Sequence, residues 1–597
     1  MGYIADAGIT TLIYISLAVS LNLLVGYTGR VSMAHAIFFG VGGFTAARLT
    51  LPTAAQLTQQ FGENGVAGMQ TGLGWNWFVA LLVAALVAFA AALFISLPAV
   101  RLVHGEYLIL LTLAFQLVGS QLMNIMDPVT GGPYGLSGIP PISFFGVTLA
   151  GPVPMFWVLL CGTIITILIC WGLGQSPFGR LLKAIREHET AVESVGKDPV
   201  IPELLAFGIS AALAGSIGAL AVFYYGSAVP GNYTIDLSIL MIAAVVLGGA
   251  GNITGTILGA VALGLLEPVL RQIVGDASIP WQAVIYGAAL VLMMRLRPEG
   301  LLPERKGFTK LAARLRSSRE LRPALPTPGE ALERLSRVTV NNSEQLEMVV
   351  EVQDLKKSFG GLAAVNGATF GLQVGVVTAL IGPNGAGKTT IFNMICGTDS
   401  VDSGRVFLMG EDVTGQPTHK LAKKGLVRSF QDIRVCQKLS ALDNVAMAVP
   451  RQSGENVLQL IVYPHRVRRE EARVRRRSLD CLALLDLADK AEVKVGDLSY
   501  GDQKLVAIAR LIATDSDVLL LDEPTSGVDP VSVERVVDGI GRLRELGRTV
   551  CLVEHSVHFV QRLADRAVFL DQGSVIAEGT VAELMKRADL AELYFGV

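Results

Sequence analysis

The string Gly382-Pro-Asn-Gly-Ala-Gly387-Lys388-Thr389 sets glycines, a lysine and a hydroxyl between an apolar run and a helical one. Residues 378–381 read as a buried strand and residues 390–395 as the helix that follows. Gly382, Gly385 and Gly387 let a loop through Pro383, Asn384 and Ala386 turn backbone N–H groups onto a phosphate. The helix that opens at Thr390 adds its positive dipole end. Lys388 is then placed to reach the β- and γ-phosphates, and the Thr389 hydroxyl to take a Mg²⁺ ion. Such a loop binds ATP or GTP.

Further carboxylates suit the same chemistry. Residues 517–523 form an apolar strand that ends in Asp522 and Glu523. The first suits a hold on Mg²⁺, direct or through water. The second is placed to orient or deprotonate the water that attacks the γ-phosphate. Between the two motifs, Ser499 and Gly501 stand at the start of a helical stretch, 504–513, as a second phosphate cradle. Roughly 110 residues separate them from Lys388, which points to a separate subdomain.

The elements around these motifs belong to two different solvents. Hydrophobic residues make up 51% of the 597 and charged ones only 17%, too apolar for an ordinary soluble chain. Eight of the 49 Lys and Arg fall before Arg295. An integral membrane domain followed by a soluble one explains that division, and the net charge of −2 only averages over both. A bilayer core of about 30 Å asks for roughly twenty apolar residues per helix. Nine spans are expected, with eight or ten possible: 9–25, 33–51, 77–97, 107–126, 155–173, 204–225, 237–249, 253–270 and 281–294. Gly248-Gly-Ala-Gly251 is either a tight turn or a re-entrant break. The many Gly and Ala within the spans suit close helix packing in lipid.

Lys and Arg are absent from the loops 52–76, 127–154 and 226–236, which places them outside. Arg180, Lys183, Arg186 and everything from Arg295 onward fall inside, giving an outer N-terminus and an inner C-terminus. Arg48 and Arg271, at span ends, read as snorkelling side chains. No N-terminal stretch has a charged start and a cleavage site, so no removable signal peptide is expected. The six cysteines (161, 170, 396, 436, 481 and 551) lie outside the exterior loops and lack metal-ligand spacing, as for core residues of a reducing compartment.

In their order, these motifs resemble those of the ABC-transporter ATPases over about 250 residues. The resemblance implies that Gln431 is the glutamine joining Mg²⁺ to the transmembrane contact. It makes residues 498–502 the signature sequence, whose Ser499 and Gly501 approach the γ-phosphate of the opposite subunit. Residues 526–529 are then the D-loop, His555 the switch histidine and Phe359 the aromatic stacked on adenine. The family's usual signature is Leu-Ser-Gly-Gly-Gln. Tyr500 and Asp502 depart from it, so a working but weaker composite site is expected.

Ser358-Phe-Gly-Gly-Leu362, Ala364-Val-Asn366 and Arg428-Ser-Phe-Gln-Asp432 are similar to the ATPases of branched-chain amino-acid uptake, the Liv type. The membrane half independently resembles the permease subunits of those systems, at Ser32-Met-Ala-His35, residues 130–137, residues 246–252 and Arg297-Pro-Glu-Gly-Leu-Leu-Pro303. The chain is thus expected to be multi-domain. An all-α polytopic permease occupies 1–305, a basic and Pro-containing linker 306–347, and an α/β P-loop ABC ATPase 348–597. Within the linker, 314–322 reads as an elbow helix and 323–328 as a stiff spacer.

The resemblance implies ATP and Mg²⁺ as cofactors and a bacterial cytoplasmic (inner) membrane location, with the ATPase in the cytoplasm. It further implies a second permease and a second ATPase, or a homodimer, and an extracytoplasmic solute-binding protein. Residues 184–195 are expected to form the short amphipathic coupling helix that docks beside Gln431. The expected function is ATP-driven uptake of small polar solutes, branched-chain or other amino acids first, with urea, short amides or aromatic acids as alternatives. An exporter that fuses the two domains would have six long helices continuing into the cytoplasm. An ATP-powered membrane signalling protein would have a large exterior domain. His35 reads as a packing histidine, with a substrate ligand as the alternative, and 130–137 as a structured turn or a docking loop. The basic run 465–477 reads as a solvated helix face, because nothing aromatic interleaves it as nucleic-acid binding would need.

Overall fold

The computed structural model describes residues 2–61, 70–102, 106–144, 146–274, most of 284–302, 325–336 and 347–587. The expected elbow helix at 314–322 lies outside these residues, as does much of the expected span 281–294. The chain divides into two units. One takes residues 1–182 and 200–321, the other 183–199 and 322–597.

The first unit is helical. Its main helices are α1 (Gly2–Thr28), α2 (His35–Thr50), α3 (Trp77–Leu102), α4 (Glu106–Ile125), α5 (Pro152–Gly174), α6 (Pro177–Glu187, which crosses into the second unit), α8 (Val200–Tyr225), α9 (Ile235–Gly248) and α10 (Ile253–Val274); α7 (Glu189–Glu193) belongs to the second unit. Among the described residues six helices are long and apolar enough to cross a membrane: Ala5–Thr28, Trp77–Pro98, Tyr107–Ile125, Pro152–Gly174, Val200–Tyr225 and Pro230–Gly248. Nine were expected: of the other three, 33–51 yields the 16-residue helix α2, 253–270 lies within the 22-residue α10, whose described apolar stretch is Ile253–Leu266, and much of 281–294 lies outside the described residues.

Most of α1 is buried, whereas α3, α4 and α5 turn Leu86, Phe94, Leu110 and Trp157 outward as lipid-facing helices must. Small residues let backbones touch. A Cβ on Gly42 would collide with the backbone of Gly215, so α2 and α8 cross there without side chains between them. Polar contacts join the buried faces: Ser16 Oγ donates to Thr163 Oγ1 (2.8 Å), His35 Nε2 pairs with Ser20 Oγ (2.9 Å), and Asn22 Oδ1 accepts from the Gly251 N–H (2.8 Å). Gly248 to Gly251 is a turn joining α9 to α10, with Gly249 and Gly251 at positive φ. The Arg48 guanidinium donates to the carbonyls of Val129 (2.7 Å) and Thr71 (2.9 Å), tying two loops to the end of α2.

The second unit is built on two sheets. Strands β1 (Met348–Phe359), β2 (Leu362–Gln373), β4 (Ser403–Leu408) and β5 (Glu411–Asp412) form an antiparallel sheet in the order β2-β1-β4-β5. Strands β3 (Val377–Ile381), β6 (Leu426–Arg428), β7 (Val518–Asp522), β8 (Thr549–Val553), β9 (Arg566–Asp571) and β10 (Ser574–Thr580) run β6-β7-β8-β3-β9-β10, parallel except for the last pair. The central strands β3, β7 and β8 are buried on both faces and accordingly read as continuous apolar runs. Phe392, Ile391, Leu380, Leu520 and Val568 fill the core between the sheets and the helix after β3.

Within the expected linker, Pro328–Ser336 is a helix, α11, that packs on α15 (Pro464–Leu484), with Arg334 Nη1 at 3.1 Å from Asp480 Oδ1.

Candidate nucleotide site and its link to residues 183–199

Strand β3 delivers the chain to the phosphate loop, and the helix α12 (Lys388–Ile395) carries it away. Gly387 caps that helix at φ 94° with no side-chain cap, so its first N–H groups are left for an anion. A Cβ there would strike the carbonyl of Ala364. Lys388 Nζ donates to the carbonyls of Gly382 and Pro383, each at 2.8 Å, across the loop. Burial lowers its pKa from lysine's ordinary value, while Glu523 and Asp522 pull the other way.

A cleft of about 670 Å³ opens on this loop. Its walls bring together Asn384, Gly385, Ala386, Gly387, Lys388, Thr389 and Thr390 with Gln431, Glu523 and His555. Glu523 is the hub. Its Oε1 lies 2.9 Å from His555 Nε2, and its Oε2 accepts from Gln431 Nε2 at 3.1 Å. The residue holds a left-handed φ of 47°, a strained conformation for a non-glycine that concentrates at working sites. Asp522, one residue back, is buried. Its Oδ2 accepts from Arg428 Nη2 at 2.6 Å, and its Oδ1 has no hydrogen-bond partner.

Phe359, Ser499 and Gly501 are placed elsewhere. Phe359 ends β1 half-exposed beneath Lys357 Nζ, outside the cleft walls. Ser499 caps α16 (Tyr500–Ala513), its Oγ accepting from the Asp502 N–H at 3.2 Å, and Gly501 abuts Ser532. Asp502, the departure from the usual signature, is buried between Lys490 Nζ and Arg535 Nη1, each at 2.6 Å. Burial pushes its carboxyl up, but hydrogen bonds from Lys490, Arg535 and Ser499 prevail and hold it below the usual range. The family-unlike charge is thus neutralised inside the subdomain.

Sequence reasoning missed three supports. Arg428 grips Asp522 and also Asn393. Lys504 Nζ donates to the carbonyls of Glu523 (2.9 Å) and Ser526 (2.6 Å), fixing the backbone after β7. Glu554 accepts from the Thr525 N–H and Oγ1. Arg428 ends β6 and Glu554 follows β8, and an ionisable residue at the end of an apolar strand was the available signal. Lys504 gave none.

Residues 183–199 pack within the same unit as the cleft. They are not one helix. His188 is extended (φ −152°, ψ 93°) and breaks the expected 184–195 helix into the end of α6 and the short α7, Glu189–Glu193. Ala191 and Val192 are buried. Thr190 Oγ1 accepts from Arg434 Nη1 (2.8 Å), and the Glu187 carboxylate accepts from the Lys438 N–H (3.1 and 3.2 Å). Lys197 Nζ donates to Glu455 Oε1 (2.7 Å) and to the carbonyl of Val449 (2.8 Å). Arg434 follows Gln431 by three residues, so one short segment touches both Glu523 and the docked segment.

Comparison with known proteins decides the family. Residues 3–294 match the family described as branched-chain amino acid transport system / permease component, and residues 365–526 match the ABC transporter family. The high-affinity branched-chain amino acid transport ATP-binding protein BraF of Pseudomonas aeruginosa is 36% identical over 249 residues, 42% of this chain and 98% of BraF. This chain is a Liv-type ABC transporter. Its permease and ATPase are fused in one polypeptide. A probable LivG ATP-binding protein of Archaeoglobus fulgidus is 33% identical over 248 residues, covering 42% of this chain and 95% of that protein. A nucleotide-free ATP-binding cassette from an ABC transporter aligns at 29% identity over 41% of this chain and 98% of its own, with a TM-score of 0.36. The Liv-type chain is embedded in a membrane by its permease domain. Its ABC domain binds and hydrolyses ATP in step with transport.

Proposed function

We propose that this chain powers uptake of small polar solutes, branched-chain or other amino acids first, across the bacterial cytoplasmic (inner) membrane. In this reading residues 1–305 are the permease, 306–347 the linker and 348–597 the ATPase on the cytoplasmic side. The observation that carries it is Glu523 held between His555 and Gln431 across one cleft from the phosphate loop.

Each residue then has a role. The loop from Gly382 through Thr390 cradles the phosphates with backbone N–H groups, and Lys388 supplies the positional charge on the γ-phosphate. Glu523 orients or deprotonates the attacking water, with His555 hydrogen-bonded to its carboxylate. The unpartnered Oδ1 of buried Asp522, the Thr389 hydroxyl and the Gln431 amide are hard oxygen donors that fit Mg²⁺. When bound, that ion neutralises phosphate charge. Ser499 and Gly501, away from this cleft, serve the nucleotide of a second ATPase, and Phe359 stacks on adenine. In this reading the active assembly holds two ATPases and two permeases, from partner subunits or a second copy, fed by an extracytoplasmic solute-binding protein.

Proteoliposomes loaded with ATP and Mg²⁺ and supplied with that binding protein test the reading. Labelled leucine, isoleucine or valine should accumulate only with hydrolysable ATP. ATP-dependent uptake of urea or benzoate with none of leucine would move the substrate class and leave the transporter in place.

A further inference from the structure

The helix α14, Val457–Val462, is short and leaves apolar side chains in the open. Leu458, Ile461 and Val462 are 72%, 71% and 60% exposed, and Tyr463, where the chain turns into α15, is 57% exposed. The first three fall on one arc of the helix at positions i, i+3 and i+4. Four adjacent apolar or amphipathic side chains so exposed mark a contact surface.

The neighbouring helix supplies a matching charge. Arg466, Arg469, Arg473 and Arg476 recur at three- and four-residue steps, so they form one stripe along α15. All four are exposed, and none makes an ion pair among the described residues. The nearby acids are engaged elsewhere. Glu470 accepts from the Ser453 N–H and hydroxyl, Glu471 and Asp443 face Arg475, and Asp480 faces Arg334. The buried face of α15, with Val467, Val474 and Ser478, points another way.

Lys197 is bonded to Glu455 and to Val449, and Glu455 is two residues before α14. Lys197 is also three residues before Val200, where a membrane-crossing helix begins. Three residues reach at most about 11 Å, so little chain separates Lys197 from that apolar helix. A cationic stripe next to aliphatic and aromatic side chains suits a phospholipid surface, where the rings and chains enter the headgroup layer and arginines face anionic lipid.

We infer that Leu458, Ile461, Val462 and Tyr463, together with Arg466, Arg469 and Arg473, form a contact with the anionic phospholipid surface of the membrane that the chain spans. The surface steadies the subdomain that receives Lys197, by a contact outside both the nucleotide cleft and the permease.

The test uses the full chain. Among its six cysteines only Cys161 is exposed, so Cys161→Ala with Ile461→Cys gives one site for a bimane label. The labelled protein is reconstituted into phosphatidylcholine alone or mixed equally with phosphatidylglycerol, each with lipid carrying a nitroxide high on its acyl chain. Bimane emission should lose its larger part in the mixed vesicles and less in phosphatidylcholine. Adding Arg466→Gln, Arg469→Gln and Arg473→Gln should restore emission in the mixed vesicles, and the three Arg→Lys changes should leave it quenched. Emission unquenched in both lipids would overturn the inference. So would emission that is blue-shifted yet shielded from the nitroxide, because protein would then cover the patch. Quenching indifferent to the arginine substitutions would overturn the part given to anionic lipid.

Discussion

The nucleotide cleft and the seat of residues 183–199 lie in the same unit and are built by opposite means. The cleft takes most of its donors from one short loop, and its glycines, lysine and hydroxyl fall within nine consecutive residues, 382–390. The seat takes Thr190, Glu187 and Lys197 from one stretch of chain and Arg434, Lys438 and Glu455 from another, roughly 250 residues away. Local chemistry makes a site that any chain of this pattern rebuilds. Distant pairing makes a joint specific to this polypeptide, and the segment 428–434 belongs to both. The difference predicts that substitutions at the seat and in the cleft have separable effects on uptake and on hydrolysis.

The largest effect should come from Glu523→Gln. The amide fills the space and still hydrogen-bonds to Gln431 and His555, but it cannot accept a proton. Turnover should fall by about 10²–10⁴-fold while ATP binding survives, as steady-state hydrolysis and fluorescent-nucleotide titration would show. Lys388→Ala should lower hydrolysis by about 10²–10³-fold through the lost electrostatic hold on the γ-phosphate. Near-full ATPase activity in that protein would break the assignment of the cleft.

A smaller and different effect is expected at the seat. Lys197→Met keeps the aliphatic stem and removes the charge that bonds Glu455 and Val449, weakening docking by about 2 kcal/mol. Hydrogen exchange over 183–199 should quicken while basal ATPase stays within error of the parent.

The smallest effect follows pH. Burial, then the charges of Arg510 and Arg434, lowers the pKa of His188 from its ordinary 6.5. A depressed histidine is held neutral in the docked state, so its contribution is complete above pH 6.5 and is lost as pH falls through the lowered value. Uptake per ATP should therefore be flat from pH 7 to 8 and decline on acidification, and His188→Gln should flatten the decline.

Legibility in the sequence followed the same divide. The strand-loop-helix at 378–395 and the carboxylates at the end of β7 were readable because a phosphate cradle is made of neighbours in the chain. The spans were readable from hydropathy: six of the expected runs are membrane-length apolar helices among the described residues, while 33–51 gave the shorter α2 and much of 281–294 lies outside them. The grip of Arg428 on Asp522 and the pairing of Lys197 with Glu455 had no local signature. The break at His188 was hidden because 184–195 keeps a helical pattern across it, while tertiary contacts on both sides hold His188 extended. Asp502 showed as a departure, but its buried clamp by Lys490 and Arg535 depends on residues 12 and 33 positions away.

The central claim is that segment 428–434 carries the state of the cleft to residues 183–199. Gln431 reaches Glu523 at one end, and at the other Arg434 bonds Thr190 while its ring contact with Phe430 and its carbonyl bond from Arg510 hold it in place. Uptake and ATP hydrolysis measured in the same proteoliposomes test this with Arg434→Gln, with and without loaded binding protein. The account predicts that basal hydrolysis persists while stimulation by the binding protein and uptake per ATP collapse. Full stimulation and parental uptake in Arg434→Gln would contradict it.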